Sequence, residues 1–160
     1  MDYLHLKSRW FETFEQLNIP VSFSNSLKKL PDHDAFLVHL ISCIDYLKRS
    51  EEDKDQIVMA LMSLKYAIDL NILYSQGKLE QTDHFILWSD YLSACYYQKL
   101  TRLNLIDLVQ MLQTPVESIY LQLASDHEGE ALSSWGILET VQKYIKINEL
   151  TLSEVEDGDT

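Results

Sequence analysis

Residues 85–100 read Phe-Ile-Leu-Trp-Ser-Asp-Tyr-Leu-Ser-Ala-Cys-Tyr-Tyr-Gln-Lys-Leu. The stretch has the length and spacing of a helix but is apolar around most of its circumference. Phe85, Ile86, Leu87, Trp88, Tyr91, Leu92, Ala94, Cys95, Tyr96 and Tyr97 leave only a narrow polar strip of Ser89, Asp90 and Ser93. A helix of that kind has to be covered on nearly every side. It belongs either at the centre of a bundle or on a surface reserved for another chain. Asp90 lies in this apolar setting, where a carboxylate is costly to bury unless it is paired or hydrogen-bonded.

Around this segment the chain divides into further helical blocks. Leu6, Trp10, Phe14 and Leu17 recur at spacings of three and four, which predicts a short amphipathic helix over 2–17, ended by Asn18-Ile19-Pro20. Val21–Pro31 reads as a loop. Asp32 or Asp34 is placed to cap a helix whose core face is Phe36, Leu37, Leu40, Ile41, Ile44 and Leu47. The mixed-charge run Lys48–Asp55 predicts a turn that opens the next helix, through Ile57, Leu61, Leu64, Ile68 and Ile72 to about Gln76. Gly77 then stands where a left-handed residue closes a helix. Thr82 is placed to cap the central helix, and Asp83 suits its dipole.

Beyond Arg102, Leu105, Leu108, Val109 and Leu112 continue a helical period. Thr114 as N-cap and Pro115 at the first helical position predict a restart, with Val116, Ile119, Tyr120 and Leu123 as the apolar stripe. A last helix is expected from near Glu130 to about Leu152, through Leu132, Trp135, Leu138, Val141, Tyr144, Ile145 and Leu150. The acidic tail 153–160 is expected to be disordered. No strand signal and no internal repeat stands out. The expectation is an all-α, single-domain helical bundle of about six to seven helices over 1–152.

Composition agrees with that class. The chain has 160 residues, 46% of them hydrophobic, with only 4 Gly and 3 Pro, enough for one domain with a sizeable core and little turn punctuation. The net charge of −12 argues against nucleic acid and anionic membranes as partners. Most of that charge lies in 103–160, where Lys143 and Lys146 are the only Lys or Arg residues. This acidic half is either a solvated face or a dock for a basic partner. Cys43 and Cys95 lack metal spacing and read as buried free thiols in a reducing cytoplasm. The chain opens without a signal-peptide pattern. No apolar run approaches the ~20 residues that span a bilayer, so no membrane insertion is expected.

Catalytic chemistry is sparse. Glu51-Glu52-Asp53-Lys54-Asp55 is the densest acidic cluster, but a lysine interrupts it and no Asp-Asp pair occurs anywhere. Among the 5 histidines, His5 and His127 stand alone and His33 and His39 fall off a shared helical face. Glu80 and His84 share a face without the repeat that builds a di-metal bundle. A Gly-rich phosphate loop and a nucleophile elbow are both missing. By itself the chain does not read as an enzyme and is expected to bind no cofactor.

Ser89-Asp90-Tyr91-Leu92-Ser93, then Tyr96-Tyr97 and Leu100, followed later by Ile147-Asn148-Glu149-Leu150, resemble the small subunit (component I) of bacterial heteromeric hexaprenyl and heptaprenyl diphosphate synthases. The likeness covers about a fifth of the chain. In that family the Ile-Asn-Glu helix follows the aromatic helix after a short connection, whereas here 101–146 intervenes. The resemblance implies a non-catalytic, cytoplasmic regulatory subunit in a heteromer with a larger catalytic prenyl diphosphate synthase subunit, which holds the aspartate-rich motifs and Mg²⁺. The pair extends farnesyl diphosphate with isopentenyl diphosphate toward the menaquinone side chain, and the small subunit helps set product length. Under it, Leu87, Tyr91 and Ala94 form one stripe at the partner interface or product tunnel, with Asp90, Tyr96, Tyr97, Ile147, Asn148 and Glu149 nearby. Two other readings stand beside it. The same aromatic helix is also what the core of a small bundle looks like, and an acidic all-α adaptor docking on a basic partner fits the missing catalytic motifs equally well.

Overall fold

The helix that holds the core is Glu51–Ser75 rather than the aromatic segment. Every residue from Ile57 to Leu70 on it is buried. Its start follows from local chemistry: the Ser50 hydroxyl accepts the backbone N–H of Asp53 at 3.1 Å, and Glu51, Glu52 and Asp53 place negative charge at the positive end of the helix dipole. The expected acidic turn is therefore the first turn of a helix. At the other end Gly77 adopts φ +68° as predicted. Its N–H bonds Tyr74 O at 3.0 Å and the Lys78 N–H bonds Leu73 O at 2.9 Å, which closes the helix in a Schellman motif.

The computed structural model describes residues 4, 5, 8, 21–30, 32–79, 84–125 and 133–158, with the side chains of the last helix described as far as Asn148. Among them are six helices and no strand: α1 Val21–Lys28, α2 His33–Ile44, α3 Glu51–Ser75, α4 Phe85–Arg102, α5 Ile106–Ala124 and α6 Trp135–Gly158. The all-α expectation holds. The helix expected over 2–17, the cap at Thr82 with Asp83, and the start of the last helix near Glu130 lie outside the described residues.

The long helix α3 packs most extensively against α4, and also meets α1, α2 and α5; α2 and α5 each rest on α6. Three contacts show that α3 and α4 run antiparallel. Tyr74 stacks on Phe85 with ring centroids 3.9 Å apart, Asn71 Nδ2 donates to Ser89 Oγ at 2.6 Å, and Lys99 Nζ donates to Gln56 Oε1 at 2.9 Å. By length and composition α3 is apolar enough to cross a membrane, with a mean hydropathy of 1.4 over a window that is 89% buried in the bundle. The expectation that no segment reaches that length is corrected: interior helices of a bundle are apolar all round for the same reason that spanning helices are.

Three boundaries also differ from expectation. Residues 21–28 form α1 rather than a loop, because Phe23 and Leu27, one turn apart, are both buried, and that packing outweighs the weak propensity of a Ser- and Asn-rich stretch. Pro115 lies inside α5 and does not start a helix, so Thr114 is no cap. It withholds one N–H from the ladder, but the buried stripe Leu108, Leu112 and Ile119 continues on both sides of it and keeps the helix in line. The break falls earlier, at Asn104 with φ +58°. There Asn104 N–H bonds Thr101 O at 3.1 Å and Leu105 N–H bonds Leu100 O at 2.9 Å, while Leu100 and Leu105 are both buried. Asparagine is the residue besides glycine that most readily takes this left-handed position. The backbone of α6 stays helical to Gly158, through most of the acidic segment expected to be disordered.

Candidate functional site

Of the polar strip of α4, the serines lie on the inward side and Asp90 does not. Ser89 is buried against α3, where its hydroxyl accepts from Asn71 Nδ2 and donates to Ala67 O at 3.2 Å. A serine lets two helices approach more closely than a large side chain does, and its hydroxyl is satisfied by the neighbour's backbone. Tyr120 of α5 lies over the same strip; burial pushes its phenol up, against the pull of the Ser89 and Ser93 hydroxyls. With Phe85, Leu92, Tyr96 and Leu100 also buried, the rest of the aromatic helix turns outward. Ile86 is 57% exposed, Leu87 65%, Tyr91 42% and Tyr97 58%. Asp90 and Ala94 are exposed between them.

This rotation sorts the residues singled out in the sequence. Leu87, Tyr91, Ala94 and Tyr97 share the outward face, as one stripe. Asp90 sits there in solvent rather than in an apolar interior, so it carries no burial cost. Tyr96 belongs to the core, and burial pushes its phenol up to about 12. Ile147 is 54% exposed on α6. Asn148 Nδ2 donates to Tyr144 O at 2.8 Å within its own helix, and the Tyr144 hydroxyl bonds both carboxylate oxygens of Asp107 on α5 at 3.2 and 3.1 Å. Burial and the Asp107 carboxylate push the Tyr144 phenol up. The Asn148 amide therefore bonds within α6, and it is the Tyr144 hydroxyl that ties α6 to α5; neither reaches the helix of Asp90. The side chain of Glu149 lies outside the described residues.

A buried charged centre lies apart from α4, at residues the sequence reading did not single out as a site. Lys65 is fully buried on α3, and its ammonium donates to Asp69 Oδ2 at 2.6 Å, Ser134 Oγ at 3.1 Å and Asp32 Oδ2 at 3.4 Å. It also lies 4.8 Å above the centroid of the Phe36 ring. The indole Nε1–H of Trp135 donates to the same oxygen of Asp32 at 3.0 Å. Asp32 stands before α2 as expected, yet its side chain makes no capping bond, because its carboxylate is drawn into this cluster instead. Burial pushes the Asp69 carboxyl above its ordinary value, although Lys65 pulls the other way. Nearby, buried His33 bonds the Tyr66 hydroxyl, and its Nδ1 lies 2.9 Å from Asp34 Oδ1. The one signal for the Lys65–Asp69 pair was its spacing of four on a helix, which also describes an exposed pair.

Cys43 and Cys95 are free thiols, half-buried rather than fully buried. Among the described residues no group of three His, Cys, Asp or Glu side chains is arranged to hold a metal ion. No protein-family model, curated protein or solved structure matches the chain.

Proposed function

We propose that this chain is a non-catalytic subunit of a heteromeric long-chain trans-prenyl diphosphate synthase, and that the outer face of α4 is where it meets the larger catalytic subunit. The observation that supports this reading is the exposure of Ile86, Leu87, Tyr91 and Tyr97 on a single face of a helix whose other side packs into the bundle through Phe85, Ser89, Leu92, Tyr96 and Leu100. Clustered apolar and tyrosine side chains left in water mark interaction surfaces, since they gain most from being covered. The same helix carries the Ser89–Leu100 likeness to the small subunits of these synthases. In this reading Mg²⁺ and the diphosphates are held by the catalytic subunit. Leu87, Tyr91 and Ala94 contribute to the apolar wall along which the product chain grows, and their bulk helps set where growth stops.

The test is co-expression with the catalytic subunit of a long-chain synthase from the same host, followed by co-purification and assay with farnesyl diphosphate, isopentenyl diphosphate and Mg²⁺. The expected result is long-chain product from the mixture and none from either chain alone, lost in Leu87→Glu. Activity of the isolated chain, or no complex at all, overturns the reading. A complex that dissolves on adding salt points instead to an acidic adaptor on a basic partner.

A further inference from the structure

The outer face of α4 holds a single carboxylate, Asp90, and holds it near the centre. At about 100° per residue, Ile86, Tyr97, Asp90, Ala94, Leu87 and Tyr91 follow one another around an arc of about 140°. Ile86 and Tyr97 flank Asp90 on one side, and Leu87 and Tyr91 on the other. Along the axis it stands one turn beyond Ile86 and Leu87 and one turn before Ala94. Among the described residues its carboxylate accepts no hydrogen bond and makes no ion pair. Its charge reaches the Tyr120 phenol without bonding it. The basic residues of the helix, Lys99 and Arg102, lie further along α4, ~13 Å or more away, and Lys99 is bonded to Gln56.

In the isolated chain water solvates Asp90. Covering the face removes that water, and a carboxylate at the middle of an apolar interface is strongly unfavourable unless a cation meets it. A second copy of this chain does not supply one. In a two-fold interface the residues near the axis meet their own copies, so two Asp90 carboxylates converge. The net charge of −12 opposes the same pairing. The face therefore calls for a different chain, with one basic group set in an apolar surface. Beside Tyr91 and Tyr97 an arginine suits better than a lysine. Its guanidinium is more weakly hydrated, stacks on aromatic rings and pairs a carboxylate through two hydrogen bonds. We propose that the catalytic subunit presents one arginine within an apolar groove, and that this arginine pairs with Asp90 when α4 is covered. The pairing rests on the reading of the outer face of α4 as the interface with that subunit.

The experiment is calorimetric titration of the full chain into the catalytic subunit of a long-chain synthase from the same host, for wild type, Leu87→Glu, Asp90→Asn and Asp90→Leu. Arginines of the catalytic subunit that the complex shields from phenylglyoxal are then changed to glutamine one at a time, and each is titrated with wild type and with Asp90→Asn. The expected result is a complex weakened about thirtyfold or more by either Asp90 substitution. One arginine is expected whose loss weakens wild type by a similar factor and changes Asp90→Asn by less than about threefold. Asp90→Leu is the decisive variant because it enlarges the apolar face. If Asp90 served only to keep that face soluble, this variant would bind as tightly as wild type or more so. Either Asp90 variant binding within about threefold of wild type, or no arginine coupled to Asp90, overturns the pairing; loss of the complex in Leu87→Glu then leaves the interface reading standing. No complex with wild type, or a stable homodimer in its place, overturns both.

Discussion

Lys65 and Asp69, one turn apart on α3, form a 2.6 Å ion pair in which the lysine is fully buried and the aspartate is 5% exposed. Removing one member of such a pair leaves the other desolvated and alone. Lys65→Met is expected to lower stability by about 3 kcal/mol at neutral pH. The sign of the pH effect follows from the shift at Asp69, whose folded-state pKa lies above the ordinary 3.8. The folded state then holds this proton more tightly than the unfolded state does. The group costs stability above its folded pKa, and the cost is relieved as pH falls from there toward 3.8. The Lys65→Met penalty should therefore shrink in mild acid, as urea unfolding at two pH values would show, and a penalty that grows in acid would contradict the assignment.

Ser89 is where α4 comes close to α3. Ser89→Leu forces the helices apart and removes the hydroxyl that accepts from Asn71 and donates to Ala67 O, although Asn71 Nδ2 keeps its own 2.8 Å bond to Ala67 O, so a loss of about 1–3 kcal/mol is expected from overpacking. On its sequence pattern alone the same substitution extends an apolar helix and looks harmless. Chemical denaturation distinguishes the two.

Leu87→Glu and Tyr97→Glu change side chains that are 65% and 58% exposed. Each is expected to leave the stability of the isolated chain within about 0.5 kcal/mol of wild type. Unfolding of either variant at markedly lower urea would mean that this face is covered within the chain itself and has no room for a partner.

Asn104 holds φ +58° between α4 and α5. Asn104→Ala is expected to cost about 1 kcal/mol and Asn104→Gly to be neutral or slightly stabilising, because glycine alone adopts that angle without steric cost. Thermal melts of the pair check the order.

Tyr96 is buried, with a phenol pKa pushed up from 10.0 to about 12. Above pH 10 the unfolded chain sheds this proton first, so its contribution to stability is lost as pH rises from 10 to about 12. Tyr96→Phe should remove that part of the alkaline destabilisation, measured as the slope of unfolding free energy against pH.

Much of the fold was legible because it rests on local rules. The core face Phe36, Leu37, Leu40, Ile41 and Ile44 is buried as the period of α2 predicts, and Gly77 ends α3 as its freedom at positive φ predicts. The candidate face was legible only in part: Leu87, Tyr91, Ala94 and Tyr97 fall on one side by spacing alone, but spacing could not say which side of so apolar a helix turns inward. That depended on a neighbour. Residues 57–70 of α3 bury their whole circumference, and α4 packs on them through the serine strip that its own pattern marks as polar. Asp90 and Tyr96 exchanged their expected places with that rotation. The break at Asn104 in place of Pro115 has a similar origin, since a continuous buried stripe carries a helix through a missing hydrogen bond, while a left-handed asparagine ends one outright.

The sequence by itself determined helix type, most boundaries and the acidic character of the chain, because these follow from periodicity, capping and charge, which act over a few residues. Only the tertiary structure decided which helix lies at the centre, which face of α4 meets water, and that Asp32, Lys65, Asp69, Ser134 and Trp135 converge. Those relationships join side chains 69 and 103 positions apart, such as Lys65 with Ser134 and Asp32 with Trp135, and no local rule reaches that far along the chain.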